Sequence, residues 1–85
     1  MPKSVFSGGH ASLVAVLTEA RRRSGLTQTE LALKLGKDQS YVSLIERSQR
    51  RVDVVEFVVI ARALGADPAV LFDRVLATLP QTLTV

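Results

Sequence analysis

The residue types that most often carry out catalysis or bind metals are scarce in this 85-residue chain. It contains no cysteine and a single histidine, His10, which excludes thiolate chemistry and the usual zinc sites. Five carboxylates stand where helices are expected to begin, namely Glu30, Asp38, Asp53, Glu56 and Asp67. Such side chains cap helices, whereas metal-dependent phosphodiester cleavage needs carboxylates gathered around one ion. We therefore predict that the protein is not an enzyme and has neither a metal nor a cofactor.

Basic residues are concentrated in one stretch of the chain. Residues 21–51 hold eight of them against three acidic residues, a formal charge of +5. Residues 52–85 hold two against four, a formal charge of −2, while the whole chain has +3. A concentrated positive charge favours a polyanion as the partner, although a solvated basic face explains the same pattern.

Length and hydropathy limit the architecture. A chain of 85 residues is the size of one domain with one modest core. No apolar stretch approaches the roughly 18 residues of a membrane span, and the first ten residues lack the apolar run of a secretory signal. We expect a single cytoplasmic domain that does not bind membranes.

Apolar periodicity predicts helices and no strand. Apolar residues recur at spacings of three and four over residues 11–24, and Gly25 follows where a first helix should end. Residues 1–10 are then predicted to form a flexible arm with His10 exposed. Residues 80–85 are predicted to form a short tail.

Four capping signals predict where the remaining helices begin. Thr27, followed three residues later by Glu30, has the form of a capping box that opens a second helix. The caps of the later helices are Asp38, Asp53 with Glu56, and Asp67 before Pro68. Gly36 ends the second helix and allows a tight connection to a third helix over residues 39–47.

The fourth helix, predicted over residues 54–64, carries more apolar residues than one buried face requires. Its buried side is predicted to consist of Val54, Phe57, Val58, Ile60, Ala61 and Leu64. The fifth helix is predicted to bury Val70, Leu71, Val75 and Leu79. The surplus apolar residues favour a homodimer, with two isolated surface valines as the alternative. The expected dimer contact consists of Val55, Val59, Leu79, Leu83 and Val85.

Residues 27–47 are the most informative part of the sequence. Two short helices are joined through Gly36 and Asp38, a connection too tight for the helices to lie side by side. The later of these two helices, the third in the chain, turns Val42 and Ile45 inward, so its outward face is polar and nearly uncharged. This is helix-turn-helix geometry, in which the second helix projects and can enter a DNA major groove.

The sequence of this motif resembles the phage repressor and Cro family, also called the xenobiotic-response-element (XRE) type. The similarity is carried by residues 25–32 (GLTQTELA), Gly36, residues 39–47 (QSYVSLIER) and residues 61–65 (ARALG). It implies an all-α, compact five-helix lambda-repressor-like domain over residues 11–79. The implied function is that of a sequence-specific regulator of transcription, expected to be a repressor, that binds double-stranded DNA. An antitoxin or anti-regulator acting mainly through a protein partner is the alternative.

The resemblance also implies roles for individual residues. Those matched to base-reading positions are Gln39, Ser40, Ser43 and Leu44. Those assigned to phosphate contacts are Gln28, Lys37, Tyr41, Arg47, Arg50 and Arg51. Gln39 is the strongest candidate because a side-chain amide can bond N6 and N7 of adenine together. Leu44 can only pack on a thymine methyl, and Tyr41 could equally cover the edge of the core.

Two further positions follow from the same resemblance. Arg21 and Glu46 match residues that pair, so a salt bridge is expected between the first and third helices. Ser48 stands where the family usually has glycine. Either the third helix runs longer than usual, or the serine accepts a left-handed turn.

Overall fold

Five helices span the part of the chain that the computed structural model describes, residues 8–83. They are α1 (Gly8–Ser24), α2 (Gln28–Leu35), α3 (Gln39–Glu46), α4 (Val54–Ala63) and α5 (Pro68–Thr78). No strand occurs within those residues, so the predicted all-α, five-helix architecture is confirmed. None of these helices is long and apolar enough to cross a membrane.

The helix starts follow local capping chemistry, as predicted. The hydroxyl of Thr27 accepts the Glu30 N–H at 3.1 Å, and the Glu30 carboxylate accepts the Thr27 N–H at 2.9 Å. The other predicted caps are also formed, by Asp38, Asp53 with Glu56, and Asp67 before Pro68. Gly36 ends α2 in the left-handed conformation, at a φ of 69°. Because each signal joins residues at most three positions apart, the sequence alone is enough to predict it.

α3 ends through a serine in the left-handed conformation. The φ of Ser48 is 59°. Its N–H donates to the Ile45 carbonyl at 3.0 Å, and the Gln49 N–H donates to the Leu44 carbonyl at 2.8 Å. These two bonds form the Schellman pattern, in which glycine is the usual left-handed residue. Of the two alternatives for Ser48, the strained turn is therefore correct.

The helices enclose one core. α2 and α3 pack against each other, α1 packs on α3 and α5, and α4 packs on α2 and α5. The buried core residues are Leu17, Leu31, Ala32, Val42, Ile45, Val52, Phe57, Ile60, Ala61, Leu71 and Val75. Because Val42 and Ile45 fill the inner side of α3, its opposite side faces outward.

Two residues predicted to be buried are exposed. Val54 is 78% exposed and Val70 is 62% exposed. Val54 is the first residue of α4 and lines the open groove between α1, α4 and α5. On α5, Leu71 and Val75 occupy the buried face, and Val70 lies about 100° around the helix from Leu71. Leu79, predicted to be buried as well, is half-buried and packs on the edge of the core.

α1 begins three residues earlier than predicted, at Gly8. The rest of the predicted arm, residues 1–7, lies outside the described residues. The prediction that His10 is exposed is wrong, because its Nε2 accepts the Val52 N–H at 3.0 Å and the residue is only 8% exposed. Burial, together with the charge of Arg51, lowers the pKa of His10. The neutral ring is the form in which this nitrogen can accept a hydrogen bond.

Candidate nucleic-acid interface

The outward side of α3 carries the four residues predicted to read bases. Ser43 is half-buried, and the exposed ones are Gln39, Ser40 and Leu44. The Ser40 hydroxyl donates to the carboxylate of Asp38, the cap of α3, at 2.5 Å. Because a hydroxyl has one proton, Ser40 in this arrangement can only accept a hydrogen bond from a partner.

An ion pair joins α1 to the end of α3, as expected from the resemblance. The Arg21 Nε lies 2.6 Å from Oε2 of Glu46, and Nη2 lies 3.0 Å from Oε1. A third bond runs from Nη1 to the Leu26 carbonyl at 2.9 Å. The side chains of Arg21 and Glu46 are only 13% and 10% exposed. The hydrogen bonds to Glu46 raise the pKa of Arg21, and the two-pronged geometry fixes the carboxylate in place.

The same carboxylate orients Gln28, the first residue of α2. Nε2 of Gln28 donates to Oε1 of Glu46 at 2.9 Å. A carboxylate can only accept, so the amide nitrogen of Gln28 must face it and the amide oxygen must face away. That oxygen accepts a hydrogen bond from Nε2 of Gln39 at 2.6 Å. A chain of hydrogen bonds therefore runs from the buried ion pair to the first residue of α3.

This chain determines which atoms Gln39 can offer to a ligand. One N–H of its amide is used by Gln28, which leaves the second N–H and the carbonyl oxygen. The side chain is exposed, so both of these groups are accessible. A donor next to an acceptor matches the adenine edge in the major groove, where N7 accepts and N6 donates.

A second cluster lies where α3 meets the start of α4. The Tyr41 hydroxyl and Nη2 of Arg50 both donate to Oε2 of Glu56, at 2.9 Å and 2.8 Å. Arg50 also lies over the Tyr41 ring, with 4.6 Å between its guanidinium carbon and the ring centroid, and the Lys37 ammonium lies 5.4 Å from the same centroid. The Arg50 hydrogen bond, helped by the Asp53 N–H, lowers the pKa of Glu56 to about 2. Burial and the bond to Glu56 raise the pKa of Tyr41.

The remaining predicted phosphate contacts surround these two groups. Lys37 follows the left-handed Gly36, Arg47 caps the end of α3, and Arg51 precedes α4; all three cations are exposed. Within residues 8–83, no cluster of three histidine, aspartate or glutamate side chains could hold a metal ion. The described surface around α3 therefore combines a polar face with several cations.

Sequence reasoning missed the part that Glu56 plays here. Its position in the chain indicated a helix cap, and that role is present, because its Oε1 accepts the Asp53 N–H at 3.0 Å. The other carboxylate oxygen binds side chains 15 and 6 residues earlier in the chain. No local pattern reports such contacts, which depend on how α3 and α4 come together.

A family model described as helix-turn-helix matches residues 17–71 of this chain. A relative from Sinorhizobium fredii, named uncharacterized HTH-type transcriptional regulator y4dJ, is 42% identical over 45 residues. That match covers 53% of this chain and 58% of the relative, so the chain spans little more than half the length of this curated protein.

Solved structures resemble most of this chain. An XRE-family like protein from Pseudomonas syringae pv. tomato is 43% identical and has a TM-score of 0.78, over 85% of this chain and 88% of that one. The restriction-modification controller protein C.Esp1396I, solved as a tetramer in complex with its natural 35-base-pair operator, is 28% identical. It has a TM-score of 0.77 over 85% of this chain and 95% of that one.

Proposed function

Because the chain belongs to the XRE family of helix-turn-helix transcription regulators that bind DNA, we propose that it recognises a specific double-stranded sequence with α3 in the major groove. The observation that carries the proposal is the hydrogen-bond chain from Arg21 and Glu46 through Gln28 to Gln39. It orients the Gln39 amide before DNA is bound. An amide held in place loses less conformational freedom on binding, which favours specific recognition.

We propose that side chains on the outward side of α3 contact the base edges. Gln39 offers a donor and an acceptor to adenine, and Ser40 offers an acceptor. Leu44, which is 36% exposed, can contact only an apolar group such as the thymine methyl. Ser43 is half-buried and lies one turn after Gln39, so it can approach the neighbouring base pair.

Affinity on this proposal comes from the cations around α3. Lys37, Arg47, Arg50 and Arg51 would contact phosphates, while Gln28 would contribute its one unused N–H. Such contacts release counterions, so they make binding depend on salt without adding sequence preference. Arg47 suits a test because it is exposed at the end of α3.

Arg47→Ala is expected to weaken binding to any duplex and to reduce the slope of log affinity against log salt by about one. The measurement is fluorescence anisotropy with a labelled random-sequence duplex at several salt concentrations. Arg62→Ala is the matched control, because Arg62 is an exposed arginine on α4. Failure of the wild-type protein to bind duplex DNA at low salt would contradict the proposal itself.

The proposed active form is a homodimer that places two copies of α3 on half-sites about one helical turn apart, roughly 34 Å. The structure offers two apolar surfaces for it. Val55 and Val59, the predicted contact, are 71% and 49% exposed but border Lys37, Tyr41 and Glu56. A second copy bound there would compete with DNA for Lys37. The other predicted contact residues are Leu79, half-buried against the core, Leu83, 51% exposed, and Val85, which lies outside the described residues.

The second apolar surface lies between α1, α4 and α5, and its lining residues do not include Lys37 or Tyr41. It contains a cavity of about 280 Å³ whose walls include Leu13, Val58 and Phe72. Val54 and Phe72 on its rim are 78% and 45% exposed, although the Phe72 ring also packs edge-on against Phe57. Exposed apolar residues gathered on one surface are typical of an interface. We therefore favour this surface for the homodimer.

Sedimentation of two double variants distinguishes the surfaces. Val54→Glu with Phe72→Ser should dissociate the dimer into monomers, because the substitution places a charge in the contact. Val55→Glu with Val59→Lys should dimerise as tightly as the wild-type protein. The opposite pattern would support the contact predicted from sequence. A wild-type protein that stays monomeric at all concentrations would contradict the dimer.

Regulation on this proposal follows from occupancy of DNA, and nothing in it requires catalysis or a cofactor. Repression is the expected mode, because a bound dimer blocks access to the DNA that it covers. Action mainly through a protein partner stays the alternative to this proposal, and a cytoplasmic location stays a prediction.

A further inference from the structure

Glu56 binds Tyr41 and Arg50, two of the residues that the resemblance assigns to phosphate contacts. Its Oε2 accepts the Tyr41 hydroxyl at 2.9 Å and Nη2 of Arg50 at 2.8 Å. Its Oε1 accepts the Asp53 N–H at 3.0 Å, so the carboxylate is fixed at the start of α4. The Arg50 guanidinium is thus held from two directions, by this carboxylate and by the face of the Tyr41 ring, 4.6 Å from the ring centroid.

Tyr41 and Arg50 differ in how many hydrogen-bond donors they have left for a phosphate. A tyrosine hydroxyl has one proton, and that of Tyr41 is given to Glu56, so it cannot also donate to a phosphate. A guanidinium has five N–H groups. Arg50 donates through Nη2 to Glu56 and through Nη1 to the Arg51 carbonyl at 2.9 Å. Three N–H groups of Arg50 are not used by these bonds and can reach a phosphate.

We propose that Glu56 is a positioning residue, which together with the Tyr41 ring holds Arg50 in the conformation that contacts a DNA phosphate. The inference rests on the proposed function, because it assumes that Arg50 binds DNA. A free arginine has many rotamers and loses them on binding, whereas one held in place has lost most of them already. Glu56 on this account strengthens DNA binding although it carries a negative charge.

Simple electrostatics predicts the opposite effect. Glu56 is ionised at neutral pH, because its hydrogen bonds lower its pKa to about 2. Its charge offsets that of Arg50, so removing it should strengthen attraction to DNA if charge alone decides. The sign of the change in affinity therefore distinguishes positioning from competition between Glu56 and a phosphate.

The test is Glu56→Gln, measured by fluorescence anisotropy with a random-sequence duplex at moderate salt. Glutamine has the same length but only one acceptor oxygen, so it can accept either from the Asp53 N–H or from Tyr41 and Arg50, and it cannot form an ion pair with Arg50. Affinity is expected to fall about three- to tenfold, the range for one arginine that must be ordered on binding. In an Arg50→Ala background, the same substitution should cause no loss of affinity, because there is no longer an arginine to position.

Two control variants separate positioning from loss of structure. Asp53→Ala removes the bond that its carboxylate accepts from the Glu56 N–H at 2.7 Å, but leaves Tyr41 and Arg50 on Glu56. It should lower the melting temperature without changing affinity. Tyr41→Phe keeps the ring and removes the hydroxyl, and its loss of affinity should be smaller than that of Glu56→Gln, because the Tyr41 ring can still stack on Arg50.

Four results would overturn the inference alone, and the first is unchanged or tighter binding by Glu56→Gln. The second is the same loss when Glu56→Gln is made in the Arg50→Ala background, and the third is the same loss in Asp53→Ala. A loss in Tyr41→Phe as large as in Glu56→Gln would also overturn it, because the hydroxyl itself would then bind the phosphate. If Glu56→Gln does not fold, Glu56→Asp replaces it, because the shorter side chain keeps the charge but withdraws the carboxylate from Arg50; affinity equal to that of the wild-type protein would then overturn the inference. Wild-type protein that binds no duplex would overturn the proposed function and this inference with it.

Discussion

Replacing Arg21 by methionine is expected to lower the free energy of unfolding by about 3–5 kcal/mol, the range for breaking a buried ion pair from one side. The Glu46 carboxylate, only 10% exposed, would keep the Gln28 amide as its one remaining partner in the ion-pair network. Methionine keeps the apolar stem of arginine without the guanidinium, so the loss reports the unpaired Glu46 charge together with the lost bond to the Leu26 carbonyl. Urea unfolding followed by circular dichroism at neutral pH measures it.

Arg23→Met is the matched control, because Arg23 lies in the same last turn of α1. It pairs with Glu19 at 2.9 Å, but the two side chains are 63% and 54% exposed. Breaking an exposed pair of this spacing should lower stability by only about 0.3–0.5 kcal/mol. Equal effects of the two substitutions would show that the Arg21 pair is no more important than a surface contact.

Gln39→Ala is expected to lose about 1–3 kcal/mol of binding free energy on the preferred duplex and almost nothing on a random one. The reason is that the Gln39 amide contributes only where an adenine edge matches its donor and acceptor. Gln28→Ala should lose part of the same specificity, because Gln28 orients Gln39 through the 2.6 Å bond. Competition titrations with the two duplexes give both values.

The loss expected for Gln39→Ala differs from the loss expected for Arg47→Ala. A phosphate contact should weaken both complexes and lower the salt dependence, whereas a base contact should lower only the preference. If Gln39→Ala weakens the preferred and random complexes equally, α3 does not present Gln39 to the bases. If Gln28→Ala leaves specificity intact, the hydrogen-bond chain does not orient the reading residue.

Much of the fold could be predicted because its helix boundaries are local. Thr27 with Glu30, and Asp53 with Glu56, each form reciprocal bonds within three residues, so the sequence pattern contains the whole interaction. Apolar spacing likewise identified Val42 and Ile45 as the inner side of α3. The resemblance added the Arg21–Glu46 pair, which joins residues 25 apart.

The errors and omissions concern contacts between distant residues. His10 is buried because the backbone of Val52, 42 residues later, donates to its ring. Val54 is exposed although it continues the apolar pattern of α4, because burial depends on what packs beside a helix and not on its pattern alone. The bonds that Glu56 accepts from Tyr41 and Arg50 could not be predicted either, because they depend on how α3 and α4 come together.

Selection of bound duplexes from a random pool tests the central claim most directly, because all candidate target sequences compete for the protein in one experiment. The proposed function predicts enrichment of one sequence with two related half-sites about one helical turn apart, roughly 34 Å. The same selection with Gln39→Ala should lose preference at one position in each half-site. A pool that binds the wild-type protein without enrichment of any sequence would contradict sequence-specific recognition by α3.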